Sequence, residues 1–173
     1  MKKEFTKQVI LKGSTRQAPK AKKKGSADKS AIINITVKLR AGEELPDLLD
    51  PKVYASFQPI TREEFAKKYG SRSGDVRIIH EFAHRSGLTI VKTEPEKRTI
   101  ELSGSIGQIQ KIFGVSLSNY QDKKGVKFRA RKGDIKIPSE LAPIVQGIFG
   151  LDTRPIATPK FKILGKAKGK KKT

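Results

Sequence analysis

The clearest pattern along the chain is the alternation in AIINITVKLR, residues 31–40. Ile33, Ile35, Val37 and Leu39 fall on one face, and Asn34, Thr36, Lys38 and Arg40 on the other. Period-two alternation of this kind marks a half-buried strand. After a loop carrying Pro46, Pro51 and Pro59, TREEFAKKYG places Thr61 and Glu64 as a capping box, with Gly70 positioned to close the helix in a left-handed conformation. A second helix is predicted from Asp75 to Arg85, its end marked by Gly87. LTIVKT and RTIELS then read as two strands joined at Glu94–Lys97. SIGQIQKIFG returns to helical spacing through Ile106, Ile109, Ile112 and Phe113, opened by a second capping box of Ser105 and Gln108. VSLSNY and VKFRA read as strands around a turn at Asp122–Gly125, and IPSELAPIVQGIFG as a third helical stretch opened by Ser139.

The predicted order is strand, helix, strand, strand, helix, strand, followed by a hairpin arm and a short helix. This is the split βαβ order of an α+β, ferredoxin-like fold: an antiparallel sheet with two helices on one face. Right-handed crossovers put both helices on the same side, leaving the other sheet face for solvent or a partner. Binding is therefore expected on that free face.

Charge divides the chain. Of a net +21, residues 1–30 carry ten Lys/Arg against Glu4 and Asp28, and residues 156–173 carry seven Lys and no acid. The ends thus hold +8 and +7, and the remaining +6 lies between them. Lysine-rich blocks with few apolar residues cannot bury enough surface to order themselves. The expected organisation is a basic, disordered tail over 1–30, one folded domain over 31–153, and a basic tail over 154–173. There is no cysteine, so disulfides and thiolate metal sites are excluded. No window is long and apolar enough for a membrane span, and Val9–Leu11 is too short a run for a Sec signal peptide.

One motif argues for catalysis. His80, Glu81 and His84 spell H-E-x-x-H, in which two histidines on one helical face hold zinc and the glutamate takes a proton from bound water. Here both histidines fall on the polar side of an amphipathic helix. Arg77 lies beside them, and its cation would repel a metal. The position where a third histidine ligand would follow is Ile90. The motif is read as chance, with no metal and no cofactor. No nucleophile elbow, phosphate-binding glycine loop or placed carboxylate pair appears, so no catalytic residue is assigned.

ITREEFAKKYG, HRSGLTI, ELSGSIGQIQKIFGVSLSNY and, most specifically, IPSELAPIVQGIFGLDTRPIATPKF together resemble the activation propeptide of the sedolisin (kumamolisin-like) serine-carboxyl peptidases. The resemblance implies a ferredoxin-like domain similar to subtilisin propeptides, and an extracellular location. It also implies two tasks toward a catalytic domain, in cis or in trans: assisting its folding, and inhibiting it until acid triggers cleavage. The Glu-Asp-Ser catalytic domain is not in this sequence, and an excised prodomain, a truncated frame and a free-standing inhibitor are all consistent with that. The resemblance further implies that the segment after the last helix runs toward the substrate cleft. Arg154, Pro155, Pro159, Phe161, Ile163 and Leu164 are the residues expected there, with the prolines keeping the segment extended. The competing class is a basic ferredoxin-like nucleic-acid-binding protein. VKFRARKG lacks the stacked aromatics of the RNA-recognition sheet, which disfavours it.

Overall fold

The computed structural model describes residues 7–155, and its first elements lie inside the segment expected to be a solvated tail. In β1 (Gln8–Ile10), Val9 pairs antiparallel with Ile137; in β2 (Lys22–Ser26), Lys23 pairs with Tyr120. Leu11 and Ala27 are buried in the core. Composition misled here because these lysines need not be buried. The backbone pairs with strands that would otherwise be edges, and the apolar side chains that pack inward are Val9, Leu11 and Ala27.

The alternating stretch is β3 (Ile32–Leu39), with Ile33, Ile35, Val37 and Leu39 all buried. Beyond it come α1 (Pro51–Ser56), which buries nothing, and α2 (Arg62–Tyr69), opened by the Thr61–Glu64 capping box. Gly70 ends α2 with φ −58 and ψ 170, so the expected left-handed closure does not occur. Glycine is needed there because a Cβ would sit 2.3 Å from the Ala66 carbonyl oxygen. α3 (Ser73–Arg85) ends before Gly87, which is left-handed at φ 68. β4 (Thr89–Glu94), a 3-10 turn at Pro95–Lys97 and β5 (Thr99–Ser105) form the hairpin, and α4 (Ile106–Phe113) carries the Ser105–Gln108 capping box.

The last strand of the main sheet differs from expectation. β6 (Leu117–Gln121) and β7 (Lys127–Arg131) pair with β2 in a separate three-stranded sheet, and β8 (Lys136–Pro138) pairs with β1. The fourth strand is β9 (Val145–Phe149), drawn from the stretch expected to be helical. Only Ser139–Leu141 turns there, as 3-10. Apolar residues at 144, 145, 148 and 149 fit a helix or a short strand equally well, and Pro143 and Gly150 punctuate the run too closely for a helix. The sheet order β4-β5-β3-β9, wholly antiparallel, is that of a ferredoxin-like α+β fold, with α3 and α4 on one side. Ile79, Phe82, Ile109 and Phe113 from these helices meet the inner sheet residues in one core.

Candidate docking surface

The register fixes what lies on the outer sheet face. Thr89, Ser103 and Asn34 form one row; Lys92, Glu101, Thr36 and Phe149 the next; Glu94, Thr99, Lys38 and Gly147 the third. The centre is polar and locally satisfied. Asn34 Nδ2 donates to Glu101 Oε1 at 2.9 Å, and Lys38 Nζ to the Lys97 carbonyl at 2.6 Å. Burial, aided by the nearby Arg98 charge, lowers the Lys38 pKa. Lys97 and Lys92 hydrogen-bond Glu94 and hold its carboxyl below the usual range. Two large apolar side chains flank this centre with no cover: Ile32, 67% exposed, and Phe149, 59% exposed. The Phe149 ring leans along its strand over Gly147, where an added Cβ would meet it at 3.0 Å.

The chain leaves this sheet by a pinned route. Gly150 turns at φ 87 and Leu151 is buried. Thr153 then pairs with the free edge of β7: its N–H donates to the Arg129 carbonyl at 2.8 Å, and the Arg129 N–H donates to Thr153 Oγ1 at 2.9 Å. The Arg129 guanidinium donates to the carbonyls of Leu151 and Gly150. Arg154 Nη2 and Nε clamp Asp152 at 2.7 and 3.0 Å, and Arg154 also reaches the carbonyls of Gln17 and Arg131. Arg131 in turn donates to the carbonyls of Ser14 and Gly133. The knot ties the N-terminal segment, β7 and the outgoing chain together.

Asp152 is only 7% exposed in its side chain. Burial pushes its pKa up, but the hydrogen bonds and charge of Arg154 outweigh this and hold it below the ordinary carboxylate range. A depressed folded pKa means the clamp contributes stability above the unfolded value and loses it as pH falls through the folded one. Asp152→Asn is therefore expected to cost about 1–3 kcal/mol at neutral pH, and progressively less as pH falls below the unfolded carboxylate value of about 4. Urea unfolding of both proteins at each pH measures it. An equal cost at both ends of the range would remove the ion pair as the cause.

The H-E-x-x-H residues do not converge. His80 is half-buried, so it is not wholly solvent-facing as expected, and its Nε2 lies 2.9 Å from Thr93 Oγ1. Glu81 turns to Arg77 at 3.9 Å, and His84 is exposed. Among the described residues no three His, Cys, Asp or Glu side chains gather as a metal site. Of the expected cleft residues, Arg154 lies in the knot and Pro155 is the last described; Pro159, Phe161, Ile163 and Leu164 lie outside the described residues. Sequence reasoning missed Ile32, Phe149, Arg129, Arg131 and Asp152. The parity of β3 pointed to Ile32 as an outward residue, and the D-x-R spacing in LDTR was the available signal for the clamp.

The site is thus an open antiparallel sheet backed by two helices, with the outgoing segment anchored on β7, a build that by itself fixes no function. Residues 19–154 match the family model for the pro-kumamolisin activation domain, and the chain belongs to that family. It is 34% identical over 175 aligned residues to kumamolisin of Bacillus sp. (strain MN-32), an alignment covering 97% of this chain and 31% of that protein. It is 29% identical to tripeptidyl-peptidase sed5 of Aspergillus fumigatus, covering 83% of this chain and 28% of that protein. The chain spans about a third of the length of these relatives.

Proposed function

We propose that this chain is the propeptide of a sedolisin-type serine-carboxyl peptidase, assisting the folding of the catalytic domain and inhibiting it until acid releases it. Its partner is that catalytic domain, in cis or in trans, and hydrolysis belongs to the partner. The observation that carries the reading is the outer sheet face with uncovered Ile32 and Phe149, beside an outgoing segment pinned at Thr153 as it leaves. An exposed sheet face supplies docking area, and an anchored extended segment suits a substrate cleft. On this reading Arg154 and Pro155 set the departure, and Pro159, Phe161, Ile163 and Leu164 run into or near the subsites.

Release in acid follows from charge. A chain of net +21 is held partly by carboxylates on its partner, and those protonate near pH 4. The chain's own Asp152 and Glu94 have lowered pKa values and stay ionised longer, so these two do not drive the release. Added in trans, the full chain is expected to inhibit a sedolisin catalytic domain at neutral pH and to lose affinity toward pH 4. His80→Ala with His84→Ala should leave that profile in place. Deleting residues 156–173 should weaken inhibition more than binding, since the sheet retains the docking area. Residual peptidase activity and affinity against pH measure both. Absence of inhibition at every pH would defeat the proposal.

A further inference from the structure

The three-stranded sheet stands apart from the docking face, and its charge is unbalanced. β2 presents Lys22, Lys23 and Lys24, the turn between β6 and β7 presents Lys123 and Lys124, and β7 presents Lys127, all of them exposed. Across the sheet Lys22 and Lys127 flank Gln121 in one row, and the bulge between Lys23 and Gly25 sets Lys24 beside the next. None of these six forms an ion pair among the described residues. The neighbouring carboxylates serve other groups. Asp122 accepts the backbone N–H groups of Lys124 and Val126, Asp152 holds Arg154, and Asp134 accepts from Thr15. Like charges set together without counter-ions raise the free energy of the isolated domain and favour an anionic partner.

A groove of about 820 Å³ runs along this arm, with Lys24, Lys127, Arg129 and Thr153 around the rings of Tyr120 and Phe128. Its geometry selects the kind of anion. The two rings stack on each other, with centroids 5.9 Å apart and planes at 15°, and Phe128 is buried, so one face of the half-buried Tyr120 ring is all that is left on which a base could stack, against the run of aromatic platforms that single strands use. Arg129 and Arg131, the side chains able to grip phosphate in a fork, donate to carbonyls of the chain itself. What remains are separate lysine point charges beside a strand edge. Alternation in the antiparallel ladder turns the Lys127 N–H and C=O outward on the same edge where Arg129 pairs with Thr153. Backbone groups on an open edge recognise an extended polypeptide, and Lys127 on that edge, with the β2 lysines across the sheet, suits side-chain carboxylates.

We infer that the β2–β6–β7 arm is a second binding surface, for an acidic, extended polypeptide segment, separate from the face that docks through Ile32 and Phe149. The test uses the full chain and a fluorescein-labelled oligoglutamate peptide, read by anisotropy at low ionic strength. Lys22→Gln, Lys24→Gln and Lys127→Gln combined are expected to weaken binding about tenfold, as three exposed ion pairs would, and to flatten its salt dependence. A control with the same loss of charge elsewhere, Lys52→Gln, Lys67→Gln and Lys111→Gln, should leave affinity nearly unchanged. All six sites are exposed, so both variants should fold, and circular dichroism checks this. Equal losses in the two variants would reduce the effect to net charge and overturn the inference. So would absence of oligoglutamate binding, or a single-stranded oligonucleotide of equal charge binding more tightly through the same three lysines. Because no peptidase is present, failure here leaves docking of the main sheet unaffected, and failure of inhibition in trans leaves this result unaffected.

Discussion

Phe113→Ala is expected to cost about 3–5 kcal/mol, a large part of the 5–15 kcal/mol that holds a domain of this size. Phe113 is 1% exposed at the end of α4, and its ring lies tilted against Phe82 of α3 with centroids 6.2 Å apart. It thus joins the two helices to each other and to the sheet. Truncation would leave a cavity between rigid elements that cannot close over it. The chain reverses directly after it at Gly114, left-handed at φ 59, where a Cβ would meet the Lys136 side chain at 3.0 Å. α4 therefore has little freedom to settle inward. Urea unfolding gives the value, and a midpoint within the range of a surface substitution would place the core elsewhere.

The same core changes the expectation for the amino terminus. Read as a tail, residues 1–28 should be removable without effect on the folded domain. With Leu11 and Ala27 buried and β2 pairing with β6, their removal should destabilise it. Lysines in β2 hid a strand whose partner is backbone, because a pattern of side chains reports burial and says little about edge pairing. β9 was hidden for a different reason. Its five residues are too few for periodicity to separate strand from helix, and only its pairing with β3 decides. By contrast, β3 and α4 were legible because each carries a full period of buried residues. The two capping boxes were legible because their chemistry is local. The docking face was half legible: strand parity pointed Ile32 outward, but Phe149 could not be placed until β9 was a strand. The knot joins Asp152 and Arg154 to Arg129 and Arg131 and to the Ser14 and Gln17 carbonyls, three parts of the chain, and only its D-x-R clamp is local enough to show in the sequence.

Ile32 and Phe149 carry the other large effect, and it falls on binding, not on stability. Both are exposed in the free domain, so Ile32→Asn and Phe149→Asp remove little buried area and should change stability by no more than about 0.5 kcal/mol. In a complex that covers the outer face, each would set a polar or charged group in desolvated surface. Losing an apolar anchor that becomes fully desolvated typically costs about 2–4 kcal/mol of affinity, roughly thirty- to a thousandfold in Kd. Phe149 should show the larger effect, because aspartate would also place a negative charge two strands from Glu101. Binding of each variant to a sedolisin catalytic domain at neutral pH, beside its urea midpoint, separates the two effects. Loss of affinity with the midpoint retained would locate the docking surface on this face. Unchanged affinity for both variants would mean that the partner grips the domain elsewhere, and the proposed docking geometry would have to be abandoned.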